Sequence, residues 1–246
     1  MPASRSFLSE RPIPAAERLI VALDVPHYDE ALALVERLGD AVHFYKLGLE
    51  LNMTGRYFEL IEALRRRGKK VFADLKFFDI PATVAAAVRQ LAGRGAEFAT
   101  VHGNESMIEA ACKEKGALKL LAVTVLTSID QDDFRDLGLD VSIEKLVLSR
   151  ARRVVRLGCD GVISSGVEVR ALREALGSGF LVVSPGIRPL ERSDDQKRVV
   201  TPREAFLSGA DYIVVGRPIR EADDPRAAAL SVQETIAGLF GAGAPR

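Results

Sequence analysis

The chain has 246 residues, 48% of them hydrophobic, with 34 basic side chains balanced by 34 acidic ones. That length buries a large core and fits two ordinary domains or one eight-unit α/β barrel, and zero net charge without basic runs interleaved with aromatics excludes a nucleic-acid footprint. No apolar run approaches the roughly 18 residues of a membrane span, and the start, with Pro2, Arg5, Pro12 and Pro14, lacks a signal's apolar centre, so a soluble cytoplasmic protein with no membrane partner is expected.

Short β-branched runs alternate with helical patterns. Leu19 to Leu23 reads as a strand and Tyr28 to Leu38 as its helix, followed by Val42 to Leu47 with Gly55 to Arg67, Lys70 to Leu75 with Pro81 to Ala92, and Phe98 to His102 with Glu105 to Glu114. The second half pairs Leu118 to Leu126 with Ile143 to Arg156, Gly161 to Ser164 with Glu168 to Leu176, Phe180 to Ser184 with Pro202 to Leu207, and Tyr212 to Val215 with Pro225 to Leu239. Gly68, Gly95, Gly116, Gly158 and Gly209 punctuate the joins. Strands apolar on both faces, each followed by a helix, make a parallel sheet covered by helices. Eight such units favour closure, so the expectation is α/β class, a (β/α)8 TIM barrel formed as a single domain over 1–246.

Three stretches fall outside that pattern. The polar segment Arg188 to Val200 is expected as a mobile lid, and the Pro-containing start and the Gly241 to Arg246 tail as poorly ordered termini. The Arg65-Arg66-Arg67 and Lys69-Lys70 run ends a helix, where solvated positive charge complements the dipole. Cys112 and Cys159, far apart and without CxxC or His-Cys spacing, are expected as reduced thiols.

In a parallel barrel the working site lies at the carboxyl ends of the strands, and the unusual polar residues stand there. Asp24 ends the first strand, Lys46 the second, Asp74 and Lys76 the third, His102 the fourth and Thr127 the fifth, with Asp79 on the loop beyond the third. Alternation along a strand gives Asp74 and Lys76 one face. Asp24 alone would be a capping carboxylate and Lys46 alone a snorkelling stem. Four alternating charges from three neighbouring strands instead converge on one mouth, where such groups persist only when paired. An ammonium held between carboxylates is a positioned proton donor. A carboxylate fixed beside a substrate's own anion disfavours that ground state, a strain that vanishes when the anion departs as a neutral molecule, which suits decarboxylation. The alternative is a purely structural ion-pair ladder. His102 lacks metal-like spacing to His27 and His43 and is expected as a hydrogen-bonded neighbour, with Phe77 and Phe78 as packing.

The last two units read as a phosphate clamp. Ser184-Pro185-Gly186-Ile187-Arg188 follows the seventh strand, and Val215-Gly216-Arg217-Pro218-Ile219 ends the eighth and opens a helix. Gly216 allows close backbone approach, Arg217 offers a bidentate fork, and Gln196 on the lid adds a donor.

Together with Phe44-Tyr45-Lys46-Leu47-Gly48, Asp74-Leu75-Lys76-Phe77-Phe78-Asp79-Ile80-Pro81 and Thr100-Val101-His102-Gly103, these segments make the chain resemble, over nearly its whole length, the orotidine 5'-phosphate decarboxylases of bacterial type. The resemblance implies loss of carbon dioxide from orotidine 5'-phosphate with no cofactor and no metal, giving uridine 5'-phosphate in pyrimidine synthesis. It implies that Lys76 protonates C6 and Asp74 opposes the departing carboxylate, and that Asp24 and Lys46 hold ribose hydroxyls and complete the charged array. Thr127, with Ser128, would meet the pyrimidine, and Arg188, Gln196, Gly216 and Arg217 the phosphate. It further implies a homodimer in which Asp79 and Thr83 reach the partner's site. Phe78 and Ala82 stand where one common version of the motif has His and Asn, which bears on loop and interface contacts only.

Two rivals follow. A sugar-phosphate lyase such as 3-keto-gulonate 6-phosphate decarboxylase shares D-x-K-x-x-D but needs magnesium and carries a carboxylate where this chain has Lys46, a cation that would repel the metal. A non-catalytic phosphoribosyl-ligand sensor would gain little from Asp74 set against an anionic ligand.

Overall fold

The computed structural model describes residues 7–188 and 199–241. In chain order, β1 (Leu19–Ala22), α1 (Tyr28–Leu38), β2 (Phe44–Leu47), α2 (Leu49–Asn52), α3 (Tyr57–Arg66), β3 (Lys70–Phe77), α4 (Pro81–Ala92), β4 (Phe98–Val101) and α5 (Glu105–Glu114) form the first half. The second comprises β5 (Lys119–Val123), α6 (Gln131–Asp136), α7 (Ile143–Arg156), β6 (Gly161–Ile163), α8 (Val169–Leu176), β7 (Leu181–Ser184), α9 (Pro202–Leu207), β8 (Tyr212–Val215), α10 (Arg217–Arg220) and α11 (Pro225–Phe240). Each strand pairs in parallel with the next, and β1 pairs with β8 through Leu19↔Ile213 and Val21↔Val215, closing the expected (β/α)8 barrel.

Two apolar layers hold this arrangement. One lies between sheet and helices and takes the outward strand residues, such as Leu19, Val21, Val71 and Ala73, with helical stripes such as Val147, Ala151 and Val154. Their spacing of four and three places them on one helix face. The other fills the barrel interior with Ile20, Phe44, Phe72, Phe98, Leu121, Val183, Tyr212 and Val214. Its rings form a floor: Phe98 lies 5.0 Å from Phe44, 5.2 Å from Tyr212 and 6.0 Å from Phe72, centroid to centroid. Two residues further along the same strands, inward positions become Lys46, Asp74 and Thr100. The period of two along each strand therefore stacks a polar layer on an aromatic one. At Gly161 an added Cβ would come 2.3 Å from the Leu181 carbonyl oxygen, so only glycine lets β6 and β7 approach this closely.

At the other end of the barrel, Asp211 is fully buried and paired with Arg173 at 2.7 Å, while the same carboxylate accepts from Ser9 Oγ at 2.5 Å and from the Val182 amide at 2.8 Å. Arg18 stacks on the Phe240 ring 3.7 Å from its centroid and donates to the Arg11 and Asp211 carbonyls. The Pro-containing start, expected as a loose terminus, is thus docked across the barrel floor from Phe7 onward, with residues 1–6 and 242–246 outside the described residues.

α6 was not expected. Its sequence buries only Phe134 and has no apolar stripe, and a reciprocal capping box between Asp130 and Asp133 starts it instead. Also unforeseen, Cys112 and Cys159 meet at an Sγ to Sγ distance of 3.7 Å, because α5 and the turn before β6 lie side by side, joined by Lys115 to the Gly158 carbonyl and Asp160. Most of the segment expected as a lid, 189–198, lies outside the described residues; its flanks are joined by a parallel bridge between Ile187 and Val200.

Candidate active site

At the carboxyl ends of the strands a cavity of about 400 Å³ opens over the polar layer. Asp24, Lys46, Asp74 and Lys76 line it, as do Thr127, Arg188, Gly216 and Arg217. The four charges form one chain: Lys46 Nζ lies 3.0 Å from Asp24 Oδ1 and 3.4 Å from Asp74 Oδ2, and Lys76 Nζ lies 2.9 Å from Asp74 Oδ1. Their signs alternate along it, so each inner charge has an opposite charge on both sides.

The electrostatics follow from that order. Burial acts to lower the pKa of Lys46, but Asp74 and Asp24 outweigh it and the ammonium is held above its ordinary value. Burial likewise acts to raise Asp74; Lys46 and then Lys76, with hydrogen bonds from Lys76 and Thr100, overcome it and keep the carboxyl below the usual carboxylate range. Both groups are therefore ionised at neutral pH.

Lys76 reaches Asp74 by a route that simple alternation does not describe. The β3–β4 register runs Ala73↔Ala99 and then Phe77↔Val101, so four steps on β3 face two on β4. Inside this bulge Lys76 adopts φ 48°, a left-handed conformation that costs a residue with a side chain roughly 1–2 kcal/mol. Its amide donates to Thr100 Oγ1 at 2.8 Å, and that hydroxyl donates to Asp74 Oδ1 at 2.9 Å.

Thr127 stands four residues past the end of β5, not at the strand end as expected. Just past the end of β5 the Thr124 amide and hydroxyl both donate to the Ile163 carbonyl, and Arg150 donates to the Thr124 carbonyl. Arg188 is buried, and its Nη1 donates to the Ile187 carbonyl at 3.1 Å. At Gly216 a built Cβ would come no nearer than 3.6 Å to the Ala22 Cβ, so protein packing does not demand a glycine there, and its absence of a side chain leaves the backbone before α10 open to the cavity. Gln196 lies outside the described residues.

Asp79 and Thr83 are not in this cavity. Asp79 caps its own turn by accepting from the Ile80 amide at 2.6 Å, and both residues are exposed. Phe78, expected as packing, is 66% exposed, its ring edge-on to His102 at 5.5 Å. His102 faces a separate cavity beside Arg150 and Arg153, and burial, then Arg150 and Lys76, depress its pKa.

Residues 17–232 match the model of the family described as Orotidine 5'-phosphate decarboxylase / HUMPS family. The chain belongs to that family. The chain is 60% identical over 240 residues to the orotidine 5'-phosphate decarboxylase of Methylococcus capsulatus, covering 97% of this chain and 99% of that one. Identity to the enzyme of the same name from Xanthomonas oryzae pv. oryzae is 51% over 239 residues, with 95% and 98% covered. The solved orotidine 5'-phosphate decarboxylase of Lactobacillus acidophilus superposes with a TM-score of 0.79 at 39% identity, covering 89% of this chain and 99% of that one. This member of the decarboxylase family is an enzyme, a carboxy-lyase.

Four residues at or beneath this cavity went unassigned in the sequence. Arg220 lines the cavity, one helical turn beyond Arg217, and i,i+3 spacing on a short helix was a usable signal. Ser164 and Ser165 line it from the end of β6, where polar residues at a strand's carboxyl end carry the same meaning as Asp24 or Lys46. Thr100, fully buried, lies beneath the charged array and is detectable only through the bulge it supports.

Proposed function

We propose that this protein decarboxylates orotidine 5'-phosphate to uridine 5'-phosphate and carbon dioxide using its own side chains, with neither metal nor organic cofactor. The single observation that carries the proposal is the continuous Asp24, Lys46, Asp74, Lys76 chain opening into the cavity.

Asp74 is placed against the substrate carboxylate. Two like charges about 4 Å apart repel by about 4 kcal/mol at an effective dielectric of 20. Carbon dioxide leaves uncharged and the carboxylate's charge passes to C6, beside the Lys76 ammonium, so cleavage relieves part of that repulsion, worth at most about a thousandfold in rate. The carbon–carbon electron pair remains on C6, and the Lys76 ammonium supplies the proton that converts it to a C–H bond. Lys46 keeps Asp74 ionised while Asp24 and Lys46 hold ribose hydroxyls. Thr127 meets the pyrimidine, and Arg188, Arg217 and the Gly216 backbone, together with Gln196, take the phosphate. Binding energy gathered at the phosphate offsets the unfavourable contact at the base.

The sugar-phosphate lyase alternative needs a carboxylate where Lys46 stands. An ammonium 3.0 and 3.4 Å from the two nearest carboxylates already occupies the place of a divalent ion. A homodimer is part of the same proposal: exposed Asp79 and Thr83 project from a surface that also bears Phe78 and Ile80, 66% and 65% exposed, as a partner-facing patch would.

The test follows the loss of orotidylate absorbance with and without EDTA, for the wild type and for Lys76→Ala. Turnover that survives the chelator and falls by several orders of magnitude in the variant, with uridine 5'-phosphate still bound, is expected. Turnover abolished by chelation, or a variant as fast as wild type, refutes the proposal.

A further inference from the structure

We propose that Thr100 is the positioning residue of this site, its hydroxyl fixing the Asp74 carboxylate and the Lys76 backbone in the one arrangement that aims both side chains into the cavity. This rests on the functional reading above and adds to it a residue that touches neither substrate nor reacting atom.

The hydrogen-bond polarity at Thr100 is forced. The Lys76 amide can only donate, so across 2.8 Å the Thr100 oxygen must accept. An ionised carboxylate can only accept, so across 2.9 Å the Thr100 proton must go to Asp74 Oδ1. A hydroxyl group performs both tasks at once and no apolar side chain of the same shape performs either. Thr100 is fully buried, and β-branching restricts its χ1, so the oxygen has no competing water and little rotameric freedom.

What the hydroxyl sustains is otherwise unfavourable. Lys76 sits in the left-handed region at φ 48°, in a bulge where its amide has left the ladder that resumes between the His102 amide and the Phe77 carbonyl. A buried amide without a partner and a strained residue persist only where surroundings over-determine them. Asp74 Oδ1 takes Thr100 and Lys76 Nζ together, while Oδ2 faces Lys46. Removing the hydroxyl frees both the carboxylate plane and the bulge. The chemistry needs those two groups aligned, so misplacement acts on turnover more than on binding.

The groups facing Asp74 are Lys46 on β2, Lys76 on its own strand, Thr100 on β4 and, at longer range, Tyr57 on α3, with Asp24 beyond Lys46. Among them Thr100 is the uncharged group whose hydroxyl donates to Asp74, the Tyr57 hydroxyl donating instead to the Leu47 carbonyl. Loss of the Thr100 hydroxyl removes a hydrogen bond that favours the Asp74 carboxylate, and displacement of Lys76 in the freed bulge weakens another, so the carboxyl rises and the acid limb of the rate profile moves to higher pH.

Thr100→Val, which keeps the shape, Thr100→Ala and Thr100→Ser are compared with wild type and Lys76→Ala for kcat, KM, uridine 5'-phosphate binding and the pH dependence of kcat/KM. Loss of a hydrogen bond to a charged group predicts kcat lower by about tenfold or more in the valine and alanine variants. KM and product binding should change far less, the acid limb should move up, and serine should restore wild-type behaviour. Wild-type kcat and pH profile in the valine or alanine variant, or a serine variant as impaired as valine, overturns the proposal. The Thr100→Ser and Thr100→Ala pair decides it if the valine variant fails to fold. Lys76→Ala separates the two levels: if it retains turnover, the functional reading itself fails, and if it is inactive while Thr100→Val is unimpaired, only the role of Thr100 fails.

Discussion

Replacing Lys46 by Met keeps an apolar stem of similar length and removes the one charge that joins the two carboxylates. At 3.0 and 3.4 Å, in an effective dielectric of 20, its gross attraction to Asp24 and Asp74 is about 5 kcal/mol each. Much of this is offset by the cost of burying the ammonium, and breaking a buried pair from one side costs a net of about 3–5 kcal/mol. Two features of the site put the expected loss at or below that range. The Asp24 side chain is 45% exposed, so water recovers part of its lost partner, and Asp74 keeps Lys76 at 2.9 Å. A loss of about 2–3 kcal/mol follows, or about 5–10 °C in Tm for a chain of this size. Lys70→Met is the control: Lys70 and Glu17 approach to 2.6 Å, but with side chains 37% and 23% exposed their pair is worth about 1 kcal/mol or less. Thermal unfolding should therefore separate the two substitutions clearly at pH 7. The pH dependence has a definite sign. The Asp74 carboxyl is depressed in the folded protein, so its contribution is complete above the unfolded value of about 3.9 and is lost as pH falls through the folded one. Without Lys46 the carboxyl rises, so the stability gap to wild type should narrow below about pH 4 and the acid limb of kcat/KM should move up. A Lys46→Met protein as stable as Lys70→Met, with an unmoved acid limb, would refute the electrostatic account of the array.

Arg217→Ala should raise KM and weaken uridine 5'-phosphate binding by about tenfold or more, as loss of a charge-assisted contact predicts; unchanged affinity and efficiency would show that the clamp lies elsewhere. Asp79→Ala and Lys76→Ala should each be nearly inactive alone yet regain about a quarter of wild-type activity after mixing and subunit exchange, because half of the randomly formed dimers carry one intact site; no recovery despite exchange would place Asp79 in its own chain's chemistry or in none. The 3.7 Å thiol contact predicts that one equivalent of peroxide converts Cys112 and Cys159 to a disulfide with release of two waters, removing both free thiols and raising Tm; two free thiols and an unchanged Tm after treatment would show that the helix and turn cannot close the gap.

How much of this could be seen in the sequence depends on the range over which each feature is determined. The strands and long helices follow from local apolar period, and Lys46 and Asp74 project inward because they lie two residues beyond Phe44 and Phe72, which the interior rings require to point inward as well. The same period also assigned Asp74 and Lys76 to one face, and the two do meet. They meet by another cause, for an extra loop of β3 relative to β4 carries Lys76 through φ 48°. That bulge is held by Thr100, 24 residues away in the chain, and no local pattern reports a contact made only when two strands are already paired. The cysteine contact and the docked N-terminal arm were hidden for the same reason, since one depends on α5 lying beside the turn before β6 and the other on Asp211 being buried beneath Ser9. Arg220, Ser164 and Ser165 are different: the strand-end rule that selected Asp24 and the helical spacing that follows Arg217 both reach them. Local periodicity therefore identifies which groups enter the cavity, while their mutual geometry, on which turnover depends, is set by hydrogen bonds between strands. By that logic a substitution at Thr100 that leaves every charge in place should damage catalysis more than removal of an exposed charge such as Asp29 or Glu59.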